Sequence, residues 1–159
     1  MAAEVVIAPA LRQTELSAVR ELFMAYARSL DFDLAFQDFE QEMADFPGKY
    51  APPSGALLLG RIGALNAGAV ALRDLGEGRC EMKRLYVRPE ARGYALGERL
   101  VLRLIEEAKT RGYRAMRLDT VPGHHDHAMA LYRRLGFREI APYCHNPVPG
   151  AVFMELELS

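Results

Sequence analysis

The sequence is short of cysteine and of net charge, and each shortage excludes a class of protein. Its 20 basic and 21 acidic residues leave a formal net charge of −1 over 159 residues. This balance provides no overall field for holding a polyanion, so we expect neither a nucleic acid nor an anionic membrane as a partner. Cys80 and Cys144 are too few for a disulfide framework, and free thiols in a reducing, cytoplasmic compartment are expected.

Long apolar runs are also missing. No stretch approaches the roughly 18 apolar residues of a membrane-spanning helix, and the first residues do not combine a basic start with an apolar core as a secretory leader would. We therefore expect a protein without a membrane anchor. Half of the residues are nonetheless apolar, which is enough for a single domain over residues 1–159 that buries roughly 70% of its unfolded surface.

Apolar periodicity predicts an alternation of strands and helices along the chain. Strands are predicted at residues 5–8, 56–61, 67–73, 80–87, 115–121, 137–140 and in the alternating tail 152–158. Helices are predicted from residue 14, loosely over residues 31–46, from Leu96 to a C-terminal glycine signal at Gly112, and over residues 128–135. This alternation indicates an α/β fold.

The predicted strand at residues 80–87, CEMKRLYV, carries polar side chains on both faces. Strict alternation divides its residues between the faces, with Glu81, Lys83, Leu85 and Val87 on one and Met82, Arg84 and Tyr86 on the other. Chemistry is therefore available on this strand.

Residues 31–46, DFDLAFQDFEQEMADF, mix aromatic and acidic side chains. They predict a loose helix that Pro47 and Gly48 end. The aromatic side chains either face a cleft or belong to the ordinary core. Acidic residues beside a cleft would attract a cationic group.

After the strand at residues 80–87 the chain reads RPEARGYALGERL, with several small residues just before a long helix. Backbone amides around such a corner meet at the positive end of a helix dipole, a geometry that binds phosphate. The alternative is a tight turn in which Gly93 and Gly97 only pack the helix. Neither common nucleotide-binding loop, G-x-x-x-x-G-K-[ST] or G-x-G-x-x-G with a following acidic residue, is present.

Two segments resemble the GNAT superfamily of CoA-dependent N-acetyltransferases. The segment LYVRPEARGYALGERLV is similar to the family's acyl-CoA-binding signature, in which an arginine or glutamine is followed by two residues, a glycine, one residue, and a glycine or alanine. Arg92, Ala95 and Gly97 hold these positions, so an alanine replaces the middle glycine. The segment ALYRRLGF is similar to the family's helix with its Tyr-x-x-x-Gly-Phe ending. His125 stands where the family has an asparagine, three residues before Ala128.

The resemblance implies the acyl-CoA N-acyltransferase fold, with a twisted, mixed, mostly antiparallel sheet of about six to seven strands flanked by about four helices. It implies acetyl-CoA as the cosubstrate and no metal. The residues that it assigns to the cofactor are Leu85, Tyr86, Val87, Arg92, Gly93, Tyr94, Ala95, Leu96, Gly97, Glu98, His125 and Ala128.

The resemblance also implies catalytic and substrate-binding roles. Tyr132 matches the tyrosine that protonates the CoA sulfur, and Glu81 matches a position that some members use as general base. Periodicity alone explains Tyr132 equally well as a core aromatic, and an ion-paired carboxylate beside Lys83 is the alternative for Glu81. Tyr143 and Asn146 are implied substrate contacts near the last two strands, with loop rigidity as the alternative.

The run GHHDH, residues 123–127, is not predicted to bind a metal, because adjacent histidines on a loop do not easily converge on one ion. A helix N-cap at Asp126 or a histidine at the acceptor cleft is favoured instead. A sheet edge near the C-terminal strand makes a homodimer plausible.

These observations together predict an acetyl-CoA-dependent N-acetyltransferase. The expected acceptor is a primary amine of a small or amino-acid-like molecule, attacked directly within a ternary complex; protein N-termini and lysines are further possible acceptors. The alternative, suggested by Ala95 and His125, is a catalytically silent CoA-binding module with a regulatory or interaction role.

Overall fold

Seven strands form a single sheet in the computed structural model, which describes residues 4–30, 32–121 and 126–159 and their side chains except at 36, 37, 126 and 127. The strands are β1 (Val5–Pro9), β2 (Ala56–Ile62), β3 (Leu65–Gly76), β4 (Arg79–Val87), β5 (Ala115–Thr120), β6 (Arg138–Ile140) and β7 (Val152–Glu157). Four α-helices lie within the same residues: α1 (Gln13–Ser29), α2 (Phe39–Asp45), α3 (Leu96–Thr110) and α4 (Asp126–Arg134).

The sheet is mixed and mostly antiparallel, as predicted. Its strands lie in the order β1-β2-β3-β4-β5-β7-β6, and every neighbouring pair is antiparallel except β4 and β5, which are parallel. The C-terminal strand β7 pairs with β5 on one side and β6 on the other. The sheet edge predicted near the C-terminal strand is the three-residue strand β6, the direct neighbour of β7.

Both faces of the sheet are buried, so its central strands carry apolar residues on both sides. In β2, Leu58 belongs to the core that contains α3, whereas Leu57 and Leu59 belong to the core that contains α1. The buried face of α3 contains every apolar residue that periodicity predicted for it: Leu96, Leu100, Val101, Leu104, Ile105 and Ala108. The helix prediction is thus confirmed, including Gly112 just beyond its end, in the left-handed conformation at φ 85°.

A bulge in β4 changes which of its side chains share a face. Tyr86 pairs with Ala69 and Lys83 with Ala71, so Arg84 and Leu85 together lie opposite one residue of β3. The backbone of Arg84 absorbs the extra residue with φ at 63°. Strict alternation was therefore wrong beyond Lys83, because the bulge moves the later residues to opposite faces.

The faces of β4 can be assigned from its packing. Leu85 and Val87 pack with Met82 against the core under α3. Tyr86 packs against the core under α1, and the guanidinium of Arg84 lies 5.1 Å from the ring centre of Phe39, which borders that same core. One strand therefore presents apolar groups to one face of the sheet and polar groups to the other.

Beyond its first residues, β4 parts from β5. Their parallel register runs from the pair Arg79 and Ala115 to the pair Glu81 and Arg117, and no later pair is formed among the described residues. The main-chain groups of Met82–Val87 that point towards β5 have no strand partner there. A gap consequently opens in the middle of the sheet.

The acidic and aromatic segment was predicted to form one loose helix. It forms two shorter elements instead. A 3₁₀ turn at Leu34–Gln37 is followed by α2. Asp38 separates them because it adopts the left-handed conformation, with φ at 58°, which ends the first turn before the second begins. This break positions α2 against the polar face of β4.

Two glycines allow the start of α3 to lie close to the sheet. A Cβ on Gly60 would lie 2.9 Å from Leu96 Cδ1, and one on Gly68 would lie 2.7 Å from the carbonyl oxygen of Tyr86 and 3.2 Å from Leu100 Cδ1. Side chains at these positions would therefore push the helix away. The glycines set the distance between the N-terminus of α3 and the strands beneath it.

Replacing Gly68 with alanine is expected to destabilise the fold by about 1–3 kcal/mol, because the new methyl group collides with main chain that cannot move freely. Urea unfolding monitored by circular dichroism measures this change. Gly97→Ala is the matched control: its Cβ would lie 3.8 Å from Val87 Cγ2, an ordinary contact, so no loss of stability is expected. Equal unfolding midpoints for Gly68→Ala and the wild type would contradict the close packing of α3.

Candidate active site

A cleft that is open to solvent lies where β4 and β5 separate. Part of its wall comes from the core under α3 and α4, through Met82, Leu85, Leu118, Ala128 and Tyr132. The remaining wall includes groups from α1, the segment after it, the polar face of β4, the end of β5 and the loop before β7, namely Tyr26, Phe32, Leu34, Lys83, Arg84, Asp119 and Asn146. The cleft therefore reaches both faces of the sheet.

The predicted anion-binding corner lies at the N-terminus of α3. The first hydrogen bond of this helix runs from the Arg99 amide to the Ala95 carbonyl at 3.1 Å. The amides of Leu96, Gly97 and Glu98 therefore have no acceptor within the helix, and they stand at the positive end of its dipole. The Arg92 amide differs, since it donates to the Pro89 carbonyl at 3.3 Å.

The side chains at this corner leave room for an anion. Arg92, Gly93, Tyr94 and Ala95 are all exposed. The carboxylate of Glu98 would repel a phosphate, but the guanidinium of Arg134 lies 3.0 Å from it and offsets its charge. The corner thus offers three main-chain donors to an anion, as the sequence predicted.

Ala95 is the N-cap of α3 and adopts the left-handed conformation, with φ at 54° and ψ at 31°. An L-residue with a side chain is strained in this region, whereas glycine is not. The family signature has glycine at this position, so the alanine departs from it at the residue where the backbone favours glycine.

Tyr132 lies on the wall of the cleft and is 5% exposed. Its ring packs against Phe137, with 5.5 Å between the ring centres. Burial raises the pKa of the phenol above its usual value, and the nearby Tyr26 adds to this. Tyr132 is therefore protonated at neutral pH and can donate its O–H to a group in the cleft.

Glu81 is fully buried and does not reach the cleft wall. The guanidinium Nε of Arg73 donates to Oε1 at 2.6 Å, and the hydroxyl of Tyr143 donates to Oε2 at 2.5 Å. Burial alone would raise the pKa of Glu81, but the charges of Lys83 and Arg73 outweigh it and lower the pKa below its usual value. The carboxylate is thus ionised and weakly basic, as expected for the ion-paired alternative; its role as general base stays a prediction.

Tyr143 is held by three neighbours. Besides the bond to Glu81, its ring lies 5.2 Å from the Arg117 guanidinium and 5.6 Å from the ring centre of Phe153. Arg117 is itself paired with Glu155, 2.6 Å away. These contacts tie the loop before β7 to β4 and β5, and they place Tyr143 behind the cleft wall.

Asn146 does lie on the cleft wall, where its amide nitrogen donates to Asp119 Oδ2 at 3.0 Å. Its side-chain oxygen accepts the amide of Val148 at 3.0 Å, so the Asn146 side chain is fixed. Asp119, near the end of β5, is half-buried. Sequence reasoning missed Asp119, because its position near the end of a predicted strand does not reveal that the strand faces the cleft.

The other predicted contacts divide between the cleft and its surroundings. Leu85 and Ala128 line the cleft. Val87 packs under α3, and the Tyr86 ring lies 6.1 Å from that of Tyr26 on the opposite face. His125, like residues 123 and 124 of the GHHDH run, lies outside the described residues.

The acidic segment does not give the cleft a negative wall. Glu42 receives two hydrogen bonds from Arg84, at 3.1 and 3.0 Å, and the two side chains are 6% and 2% exposed. The negative charge of Glu42 is therefore compensated by Arg84. Among the described carboxylates of this segment, none lines the cleft; attraction of a cation by this segment stays a prediction.

The profile of the Acetyltransferase (GNAT) family matches residues 16–137. The chain belongs to this family. An uncharacterised N-acetyltransferase of Schizosaccharomyces pombe is 42% identical over 147 residues, covering 91% of this chain and 90% of the relative. A protein of Azospirillum brasilense named IAA acetyltransferase is 38% identical over 95 residues, covering 59% of this chain and 61% of that protein.

Solved structures agree with this assignment. A proposed acyl-CoA N-acyltransferase from Klebsiella pneumoniae has a TM-score of 0.71 at 30% identity, covering 98% of both chains. A proposed acetyltransferase from Salmonella typhimurium, solved with acetyl-CoA, has a TM-score of 0.67 at 20% identity, covering 98% of this chain and 94% of that one. The predicted GNAT family, acyl-CoA N-acyltransferase fold and acetyltransferase activity are confirmed.

No helix in the described part of the GNAT chain is both long and apolar enough to cross a membrane. In that same part, no three His, Cys, Asp or Glu side chains come together as a metal site would require.

Tyr143→Phe removes the hydroxyl that donates to the ionised Glu81 and is expected to destabilise the protein by about 1.5–3 kcal/mol. Tyr113→Phe is the control, since that hydroxyl donates to the uncharged carbonyl of Ser54 at 2.7 Å, where a loss of about 0.5–1.5 kcal/mol is expected. Urea unfolding measures both. A smaller loss for Tyr143→Phe than for Tyr113→Phe would contradict the buried charge-assisted bond.

Ala95→Gly is expected to stabilise the enzyme by about 0.5–1 kcal/mol, because glycine relieves the left-handed strain at the start of α3 by more than its added backbone entropy costs. Ala44→Gly, an exposed position within α2, is the control and should destabilise by up to about 1 kcal/mol. Thermal unfolding of the two variants distinguishes them. Destabilisation by both substitutions would refute the strain at Ala95.

Proposed function

We propose that this GNAT enzyme acetylates the primary amine of a small or amino-acid-like molecule, by direct attack of the amine on acetyl-CoA within a ternary complex. The observation that carries the proposal is the cleft between β4 and β5, which reaches both faces of the sheet. A cosubstrate seated at the α3 corner enters from one face, and an acceptor enters from the other. Both substrates can then be present together, without a covalent enzyme intermediate.

The end of the cleft next to the N-terminus of α3 would bind and orient acetyl-CoA. Amides of Leu96, Gly97 and Glu98 would hold the diphosphate, and acetyl-CoA bound there would bring its thioester to the gap beside β4. Main-chain amides at Leu85–Val87 are the candidate donors to the thioester oxygen, because β5 does not pair with this part of β4. Ala128 and Leu85 would contact the apolar part of the cosubstrate.

The acetyl transfer forms a C–N bond and breaks the C–S bond. The amine nitrogen attacks the thioester carbon and loses a proton to a base or to water. As sulfur leaves with the bonding electrons, Tyr132 donates its O–H to it and later recovers a proton from solvent. The raised pKa of Tyr132 keeps the donor protonated before each turnover.

Two carboxylates are candidates for the base. Glu81 matches the family position but is held by Arg73 and Tyr143 behind the wall. Asp119 lines the cleft itself, and this placement favours Asp119 or a water bound to it.

Cys80 and Cys144 are free thiols, which agrees with the expected reducing, cytoplasmic compartment; that location and a homodimer stay predictions.

Thiol release from acetyl-CoA across a panel of small amines tests the proposal, and an amine-dependent rate is expected. Tyr132→Phe should lower kcat by about 10²–10⁴-fold, since it removes the proton donor, while isothermal titration calorimetry should show CoA binding unchanged. Tyr113→Phe, whose hydroxyl bonds Ser54 away from the cleft, should keep the wild-type rate. Tight CoA binding with no amine-dependent turnover, or full activity in Tyr132→Phe, would overturn the proposal.

A further inference from the structure

Asp119, near the end of β5, brings a carboxylate to the wall of the cleft. Its Oδ2 accepts a hydrogen bond from the Asn146 side-chain nitrogen at 3.0 Å, and the Cys144 sulfur lies 4.0 Å from the same oxygen. Among the residues that the structure describes, none donates a hydrogen bond to Oδ1. The two oxygens therefore differ: the loop before β7 holds one, and the other can accept a proton.

Both polar atoms of the Asn146 side chain form hydrogen bonds. The nitrogen donates to Asp119, and the oxygen accepts the Val148 amide at 3.0 Å. The reverse orientation would place the oxygen against a carboxylate and the nitrogen against another N–H, so only the observed orientation forms both bonds. The bond to Val148 stabilises the loop, whereas the bond to Asp119 fixes a carboxylate in the cleft. The two roles belong to different atoms and can be separated by substitution.

A base must be held in one orientation to act at one point of the cleft. The last side-chain torsion of an aspartate has broad minima, so an unsupported carboxylate turns through a range of orientations. Proton transfer requires a base within hydrogen-bond distance of the proton that it takes. The hydrogen bond to Oδ2 restricts this rotation and defines the direction of Oδ1.

Asp119 lies in the same part of the cleft as the proposed proton donor. Burial raises the pKa of Tyr26, on the wall formed by α1, and the charge of Asp119 adds to the increase, although Arg84 opposes it. Tyr26 in turn adds to the increase that burial causes in the pKa of Tyr132. Asp119 and Tyr132 thus both lie within electrostatic range of one side chain, so a base and an acid can act on the same acetyl transfer.

We propose that Asn146 is a positioning residue for acetyl transfer: it holds Oδ2 of Asp119 so that Oδ1 takes the proton of the acceptor amine. This inference rests on the proposed function and selects Asp119 over Glu81 as the base. As the amine nitrogen forms the C–N bond, its proton passes to Oδ1 and from there to solvent. The electrons of the C–S bond leave with the sulfur, which takes the proton of Tyr132.

Asn146→Asp tests the contact with Asp119 separately from the loop. The new carboxylate can still accept the Val148 amide, but it has no N–H for Asp119. With the most active amine of the panel, kcat should fall about 10–100-fold, the size of a hydrogen bond to a charged group, while the affinity for CoA measured by calorimetry should not change. A folded variant whose kcat stays within about threefold of the wild type would overturn the proposal.

Gln41→Glu is the matched control. It makes the same change from amide to carboxylate on α2, where the exposed Gln41 donates to Asp45 Oδ2 at 2.9 Å, and it should keep the wild-type kcat. Asn146→Ala guards against a folding defect caused by two neighbouring carboxylates, since it brings no new charge and should lose kcat to the same extent. Urea unfolding shows whether each variant is folded. Wild-type kcat in folded Asn146→Ala would also overturn the proposal.

Asp119→Asn shows whether Asn146 acts through the carboxylate. This substitution should itself lower kcat about 10²–10⁴-fold, because it removes the base; wild-type kcat would overturn the assignment. Adding Asn146→Asp to it should change kcat by no more than about threefold, since no base remains to be positioned. A larger further loss would assign Asn146 to the loop alone, and a larger recovery would show that the carboxylate needs no fixed place. Either result would overturn the positioning role.

Failure of this inference differs from failure of the proposed function. Amine-dependent thiol release that survives the substitutions at Asn146 and Asp119 would overturn the inference and leave the acetyltransferase proposal intact. Absence of amine-dependent release by the wild-type enzyme would overturn both.

Discussion

The early parting of β4 and β5 is the constraint on which the rest of the site depends. Their ladder stops at Glu81 and Arg117, and the main-chain donors and acceptors beyond it lose their strand partners in the middle of a buried sheet. A buried polar group left unsatisfied costs about 1–3 kcal/mol. An occupant that can form hydrogen bonds, such as the amide-bearing arm of the cosubstrate, is therefore better suited to this gap than an apolar one.

The bulge at Arg84 places different kinds of side chain at the two ends of this gap, one on each face of the sheet. Because one extra residue is inserted, Leu85 turns towards the core under α3 while Arg84 stays on the side of α2. A single strand thus presents an apolar side chain to one face of the sheet and a charged side chain to the other. The network of Arg73, Glu81 and Tyr143 then fixes the opposite loop to the same strand.

Local patterns in the sequence predicted the parts of the fold that depend on local periodicity. The apolar spacing of α3, its glycine ending and the two family motifs lie within short windows. They therefore located the helix, the turn at its start and a tyrosine that lines the cleft. Strict alternation failed in β4 because the bulge depends on pairing with β3, which no local pattern reports.

Electrostatic partners were harder to predict, since they are far apart in the chain. Arg84 neutralises Glu42 from 42 residues away, and Asn146 reaches Asp119 from 27. The compensation of Glu42 could therefore not be seen from the segment itself. Asp119 was missed for the same reason, because only the folded sheet brings it to the cleft.

The close packing of α3 on Gly60 and Gly68 means that the spacing of this helix and the lining of the cleft depend on different parts of the chain. The distance from the helix to the strands is set by the absence of side chains. Part of the cleft wall comes instead from Tyr26 on α1, from Phe32 and Leu34 after it, and from Asn146 in the loop before β7. Those segments can change in sequence without altering the spacing at the α3 corner. If the acceptor binds against these residues as proposed, its scope can be redesigned by exchanging these segments while the spacing at the α3 corner is kept.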